Sequence, residues 1–311
     1  MIRRTHPSGL LPAGHDSTDH QGPGPNGRST RVRAVADPSA DESTYETLQV
    51  TIADHVATVV LNRPEAANAF TAAMQREFRD LWATLRSDDA VRVVVLTGSG
   101  DRAFCTGIDR DEPFTALEDS PALYGTSNNF MYDDPGDWLG PKSNDLWKPV
   151  IGAVNGMACG GAFYLLGECD VLIAAEHATF FDPHVSYGMP AIYESMKMLL
   201  RMPFGEVMRM SLTGSAERIS AETALRMGLV TEVVPAAELA GAAARLAASI
   251  AATPPWAVQG PLRAIWAAQD LGRLGGRSVA TALLSTATDK DALRSGAEEF
   301  TSGNRVDPRI R

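Results

Sequence analysis

Cysteine is scarce in this chain of 311 residues: Cys105, Cys159 and Cys169 are all it has. An odd, sparse set without a CxxC spacing builds no disulfide framework, and it reads as free thiols in a reducing, cytoplasmic setting. No apolar run approaches the ~20 residues that span a bilayer. The first residues lack the apolar core of a secretory signal, so no membrane attachment is expected. An excess of cations is lacking too. The 28 Lys and Arg stand against 38 Asp and Glu, for a net charge of −10. That balance argues against nucleic-acid binding through phosphate contacts. The sequence has no metal-ligand cluster, no Walker loop and no GxGxxG dinucleotide loop, so neither a metal nor a resident cofactor is expected.

What is present is an ordinary globular composition, 44% apolar, enough for a sizeable core. Residues 1–44 differ from the rest. They are rich in Gly, Pro, Ser, Arg and His without apolar periodicity, and read as a disordered tail. A targeting peptide is the weaker reading: Arg3, Arg4, Arg28, Arg31 and Arg33 favour it, while Asp16, Asp19 and the missing amphipathic pattern oppose it. Order is expected from about Tyr45. Thr47–Ala53 and Val56–Asn62 read as a hairpin around Asp54-His55. Thr71 is placed to cap a helix running to about Arg86, with Met74, Phe78, Leu81 and Leu85 on one face. Val91–Thr97, Val150–Val154, Val171–Ala175, Ala178–Phe181 and Val230–Val234 read as strands. Residues 110–146 read as a long irregular loop. Helices are expected at Tyr193–Arg201, Gly205–Leu212 and Ala221–Met227, the last followed by Gly228 in the left-handed position. From Ala237 the chain reads as helix only, broken at Pro254-Pro255 and at Gly275-Gly276. The pattern gives an α/β core over 45–235 and a helical region over 236–311.

The most informative stretch is Ala153-Val154-Asn155-Gly156-Met157-Ala158-Cys159-Gly160-Gly161-Ala162-Phe163-Tyr164. It reads as a buried strand, a glycine turn and a helix start. Such a turn lets backbone approach a ligand, and its N–H groups hold a negative oxygen. Ala103-Phe104-Cys105-Thr106-Gly107-Ile108-Asp109 looks like a matching half. Ile108 and Gly161 are the expected donors, with Gly107 and Gly160 supplying the turns. Two fixed donors of this kind stabilise developing charge on a carbonyl oxygen.

In order and spacing, LNRPEAANAF (61–70), VVVLTGSGDRAFCTGID (93–109), KPVIGAVNGMACGGA (148–162), LTG (212–214) and ISAETALRMGLVTEVVP (219–235) resemble the crotonase (enoyl-CoA hydratase/isomerase) superfamily. The resemblance runs from about Tyr45 to Phe300. It implies a spiral of ββα repeats with a helical C-terminal oligomerisation region, assembled as a trimer or hexamer. It implies an acyl-CoA substrate, with coenzyme A entering as part of that substrate. Ala67, Asn68, Ala69 and Asp109 fall where relatives contact CoA, Arg63 where it meets a phosphate, and Trp138 and Tyr132 in the segment that lines the acyl pocket.

The resemblance also exposes a departure. Tyr164 and His184 stand where hydratases carry two catalytic glutamates. Tyrosine is a poor base at neutral pH but donates a hydrogen bond, and as a core aromatic it needs no chemical role. Histidine serves as acid or base. One C–C bond-cleaving member of the superfamily is similar in pairing a histidine here with an aspartate. Tyr193 occupies the aspartate's position, with Glu194 one residue on. Glu194 is read two ways: as the carboxylate that holds His184 in one tautomer, or as a surface helix residue turned about 100° off that line. Asp182 is expected to cap or orient its loop, and Asp133, Asp134 and Asp137 to be solvated. These substitutions favour hydrolysis or C–C cleavage over two-carboxylate hydration. Enoyl-CoA isomerisation and a non-catalytic acyl-CoA-binding scaffold are the alternatives.

Overall fold

The computed structural model describes residues 45–111, 125–128, 131–287, 290–303 and 308–310. The tail expected over 1–44 lies outside the described residues, as does the side chain of Tyr132. The first two strands, β1 (Leu48–Ala53) and β2 (Val56–Leu61), form the expected antiparallel hairpin. Asp54 and His55 turn it with φ of 48° and 66°, the left-handed pair that matches strand twist. The Thr71 hydroxyl accepts the Met74 N–H at 3.2 Å and starts α1 (Ala72–Ser87). The α1 face Met74, Phe78, Leu81, Trp82 and Leu85 is buried as its spacing requires.

Next come β3 (Val93–Gly98), β4 (Ala103–Cys105), the short pair β5 (Gly125–Asn128) and β6 (Met131–Asp133), and α2 (Pro135–Leu139). They are followed by β7 (Val150–Val154), β8 (Met157–Cys159), α3 (Ala162–Leu166), β9 (Val171–Ala175) and β10 (Thr179–Phe181). The remainder of the core is α4 (Tyr193–Met198), α5 (Phe204–Thr213), β11 (Ile219–Ser220), α6 (Ala221–Met227) and β12 (Glu232–Val234). The pairs β3/β4, β7/β8, β9/β10 and β11/β12 each divide their strands between two sheets, while β1 and β2 lie in one and β5 and β6 pair by themselves. One sheet runs β1-β2-β3-β7-β9-β12 and the other β11-β10-β8-β4. This is the spiral that the resemblance implies.

Successive strand side chains face opposite ways, so the unbroken apolar runs of β3 and β7 fill two cores. Val94, Leu96, Val150 and Val154 pack with the α1 face, Phe104 and Phe163. Val93, Val95, Ile151 and Ala153 pack on the other side against Ala242, Ala243 and Ala247 of α7 (Leu239–Ala251).

Two expectations need correction, on the 110–146 segment and on the break in the C-terminal helices. The 110–146 segment is not wholly irregular, for it contains β5, β6 and α2. Asp134 makes α2 possible: its side chain accepts the Gly136 N–H at 2.9 Å, while Asp137 reaches back to the Asp134 N–H at 3.2 Å. Pro135 at the first helical position completes this start signal. The helix after the glycine turn is a short one, closed at Gly167, where any Cβ would stand 2.7 Å from that of Lys197. In the C-terminal region, α8 (Pro255–Ala287) bends at Gly272, φ 69°, rather than at Gly275-Gly276. Gly276 stays helical and serves packing instead: a Cβ there would lie 2.4 Å from Ala268 Cα across the bend. The last helix is α9 (Lys290–Thr301). Among the described residues no helix is long and apolar enough to cross a membrane.

Candidate active site

The site grows from two neighbouring parallel strands. β4 and β8 pair in register at Ala103 and Met157, and each ends in a glycine with positive φ, 85° at Gly107 and 55° at Gly160. The two turns touch: a Cβ on Gly107 would lie 2.9 Å from the Gly161 nitrogen. Phe70 then fixes Ile108. The Phe70 N–H donates to Gly107 O at 2.8 Å, and Phe70 O accepts the Asp109 N–H at 2.9 Å. This parallel bridge leaves the Ile108 N–H facing away from Phe70. Among the described residues neither the Ile108 nor the Gly161 N–H meets an acceptor. Gly161 is buried and Ile108 part-buried, and two adjacent N–H groups left unmatched in this way are suited to holding an anionic oxygen.

His184 opens a single helical turn after β10. Asp182, fully buried, fixes it. The Asp182 carboxylate accepts the His184 N–H at 3.1 Å and lies 2.6 Å from Nδ1. Nδ1 therefore carries a proton, and Nε2 points the other way, 3.6 Å from Glu194 Oε1. The imidazole lies over the glycine turn, its Cε1 3.4 Å from where a Gly160 Cβ would be. Asp182 holds the His184 pKa above its ordinary value, against the opposing effect of burial. Burial raises that of Glu194.

The reading of Glu194 as a surface residue is thereby corrected: it is buried. The 100° argument fails because it carries over another protein's helix phase. Here α4 begins at Tyr193, so the loop before it sets which side chain points inward. Tyr164 is a core aromatic with a polar end. Its hydroxyl donates to Asp134 Oδ2 at 3.0 Å. Burial is the main cause raising the pKa of both Tyr164 and Asp134. Asp134, expected to be solvated, is half-buried and joined to the site. The three thiols are pushed up to about 12 by burial and pack as small apolar groups.

Residues expected to contact CoA divide. Arg63 Nη1 is engaged at 2.7 Å by Asp109 Oδ2 and at 2.6 Å by Ala69 O, so its charge is matched within the chain. Ala67 and Ala69 are buried, each with only 7% of its surface exposed. Asn68, 0% exposed, offers no surface to a ligand, which corrects its assignment. It is instead the tie of its loop. Its side chain accepts from Arg63 N and donates to Ser99 O and Ala103 O, at 2.9–3.0 Å. With φ at 55°, Asn68→Ala strands buried partners in a strained turn and is expected to destabilise by about 2–4 kcal/mol. Denaturant unfolding measures this; a loss below about 0.5 kcal/mol contradicts the tie. The Trp138 ring lies under Arg79, 4.3 Å from its guanidinium, and takes no part in the Tyr164–His184 group.

Asp182 orients its loop as expected, through the His184 N–H; sequence reasoning missed its hold on His184 Nδ1 and the role of Asp134. Asp182 was legible, because Asp-Pro-His puts a carboxylate two residues before a histidine on a stiff link. Asp134 carried only a helix-start signal, and its contact with Tyr164, 30 residues on, is purely tertiary.

A family model for enoyl-CoA hydratase/isomerase matches residues 51–305. The chain is 35% identical over 261 residues to (E)-benzylidenesuccinyl-CoA hydratase of Thauera aromatica, covering 84% of this chain and 97% of that one. It is 34% identical over 202 residues to hydroxycinnamoyl-CoA hydratase-lyase of Pseudomonas fluorescens, 65% of this chain and 71% of the relative. Its fold matches the crystal structure of an enoyl-CoA hydratase/isomerase from Mycobacterium paratuberculosis with a TM-score of 0.74 at 31% identity, over 86% of this chain and 99% of that one. The family match, the sequence identity and the likeness of fold over most of the chain agree: this protein belongs to the enoyl-CoA hydratase/isomerase family, the crotonase superfamily.

Proposed function

We propose that this acyl-CoA enzyme adds water across the α,β double bond of an enoyl-CoA, with a His184–Glu194 pair doing the work of two carboxylates. The observation that carries this reading is the placement of Glu194 Oε1 at 3.6 Å from His184 Nε2, above the glycine turn. Water addition needs one group to take a proton and another to give one. Asp182 favours the imidazolium, which suits His184 as the acid. Burial makes Glu194 a stronger base than an ordinary carboxylate. Glu194 takes a proton from water as its oxygen bonds to Cβ. The π pair moves toward Cα and the thioester oxygen, whose negative charge is held by the Ile108 and Gly161 N–H groups. His184 gives its Nε2 proton to Cα, and Glu194 returns the proton to Nε2, closing the cycle.

A second reading rests on the short Asp182–His184 contact. With Nδ1 fixed, a neutral Nε2 acts as base on a water that attacks a carbonyl, hydrolysing a thioester or a β-dicarbonyl C–C bond. Product analysis separates the two. The purified protein is given a panel of enoyl-, β-ketoacyl- and saturated acyl-CoA thioesters, followed by mass spectrometry. The first reading expects a hydrated acyl-CoA with the thioester intact. Free CoA or a shortened chain, without a hydrated product, transfers the site to hydrolysis or C–C cleavage. Binding without any turnover returns the chain to the scaffold alternative. Assembly as a trimer or hexamer is part of the proposal: the exposed apolar residues Ile192, Met196, Phe204 and Leu212 on and beside α4 and α5 support a subunit-contact role for this face.

A further inference from the structure

We infer that Arg110 is a specificity-determining residue, held at the mouth of the site to bind a carboxylate carried on the acyl chain of the substrate. This names a substrate class for the hydration reading, and it rests on that reading's placement of the reacting carbons between the glycine turn and His184. Arg110 stands two residues beyond the Ile108 donor. Its guanidinium lies over the Tyr187 ring, 3.9 Å from the centroid. Tyr187 closes the single 3-10 turn that His184 opens. In such a turn, side chains three residues apart eclipse one another. His184 and Tyr187 therefore share a face, and the stack sets a cation on the side of the imidazole. One contact thus joins both halves of the site: the segment that carries a backbone donor and the turn that carries the histidine.

The cation is unmatched. Among the described residues the Arg110 guanidinium meets no carboxylate. Asp109, its neighbour in the chain, is engaged by Arg63 at 2.7 Å, and Asp182 by His184 Nδ1 at 2.6 Å. Arg110 and Tyr187 are both exposed, so a ligand reaches the pair from solvent. Stacking on an aromatic face holds the guanidinium plane and leaves its N–H edge free. A fork of N–H groups held in this way fits the two oxygens of a carboxylate. The charge is felt at His184, where Asp182 raises the pKa and Arg110 opposes the rise. The phosphates of CoA are the other anions of such a substrate. They lie at the far end of the pantetheine arm from the thioester, whereas Arg110 keeps to the side of His184, where Cα and Cβ react. An acyl chain that bears a carboxylate brings its charge to that side.

Paired thioethers test this without turnover. S-carboxypropyl-CoA is compared with S-butyl-CoA, and S-carboxybutyl-CoA with S-pentyl-CoA. Each pair differs only in a terminal carboxylate against a methyl group. Thioethers are neither hydrated nor hydrolysed, so titration calorimetry on the full chain reads binding alone. In the parent protein the carboxylate member of at least one pair should bind about tenfold more tightly than its neutral twin. Arg110→Gln should bring that ratio close to one and leave the Kd of the neutral member within about twofold of the parent value. Arg110→Glu should reverse the order. A parent ratio below about threefold in both pairs overturns the inference. So does an Arg110→Gln protein that keeps more than half of the parent ratio, or an Arg110→Glu protein that keeps the parent order. Equal weakening of both members of a pair in Arg110→Gln also overturns it, as the outcome expected of a cation that serves the CoA phosphates. A flat ratio leaves the hydration tests standing, and failure to hydrate any enoyl-CoA leaves this ratio to be read as it is.

Discussion

Glu194→Gln lowers kcat by about 10²–10⁴-fold, the usual contribution of a positioned general base, while KM changes little. Glutamine keeps the size and hydrogen bonding of the side chain but takes no proton. The parent protein should show a bell-shaped rate profile whose limbs belong to the His184–Glu194 pair as a unit. Activity rises with pH as Glu194 loses its proton, at a value that burial holds above the ordinary glutamate range. It falls again as His184 loses its proton, at a value that Asp182 holds above the ordinary histidine range. In Glu194→Gln the acidic limb should vanish and the basic limb remain. Steady-state rates across pH measure both effects. A Gln variant within about threefold of the parent would remove Glu194 from the chemistry.

The second large effect concerns the backbone donors. Gly161 has φ of −60°, an angle proline adopts without strain, so Gly161→Pro deletes the N–H without demanding a new backbone. It also adds bulk, since a Cβ there would stand 2.5 Å from Phe70 Cε1. Gly161→Ala brings the same first carbon against Phe70 and keeps the N–H, which makes it the control. With both proteins folded by circular dichroism, the Pro variant should be slower than the Ala variant by about 10²–10³-fold in kcat. Equal rates would remove Gly161 as a donor, and with it the pairing with Ile108.

Local forces write themselves into a sequence more plainly than tertiary ones do. The strands β3 and β7 were legible because a run buried on both faces needs apolar residues at every position. The end of α6 was legible because Gly228, at φ 86°, satisfies a local rule. The glycine frame at 107 and 160–161 was legible for the same reason: backbone that must take positive φ or approach closely selects glycine. What was not legible depends on how separate elements meet. The direction of Glu194 follows from the loop that launches α4, and Asp134 reaches Tyr164 only because α2 exists inside a segment that reads as irregular. The bend of α8 at Gly272 rather than at the double glycine was likewise hidden, because a helix tolerates Gly276 and the contact with Ala268 decides its use.

The pairing of β4 with β8 has a consequence for how such a chain changes over time. The proposed polarising half of the site consists of main-chain groups just beyond the ends of two adjacent strands, β4 and β8. The proton-handling half consists of side chains from four separate elements, one of which, α3, is launched directly from Gly161. Substitution at 134, 164, 184 or 194 can therefore exchange one acid–base set for another while the polarising half stands unaltered. A site divided this way is open to new reactions, since backbone donors survive side-chain exchange.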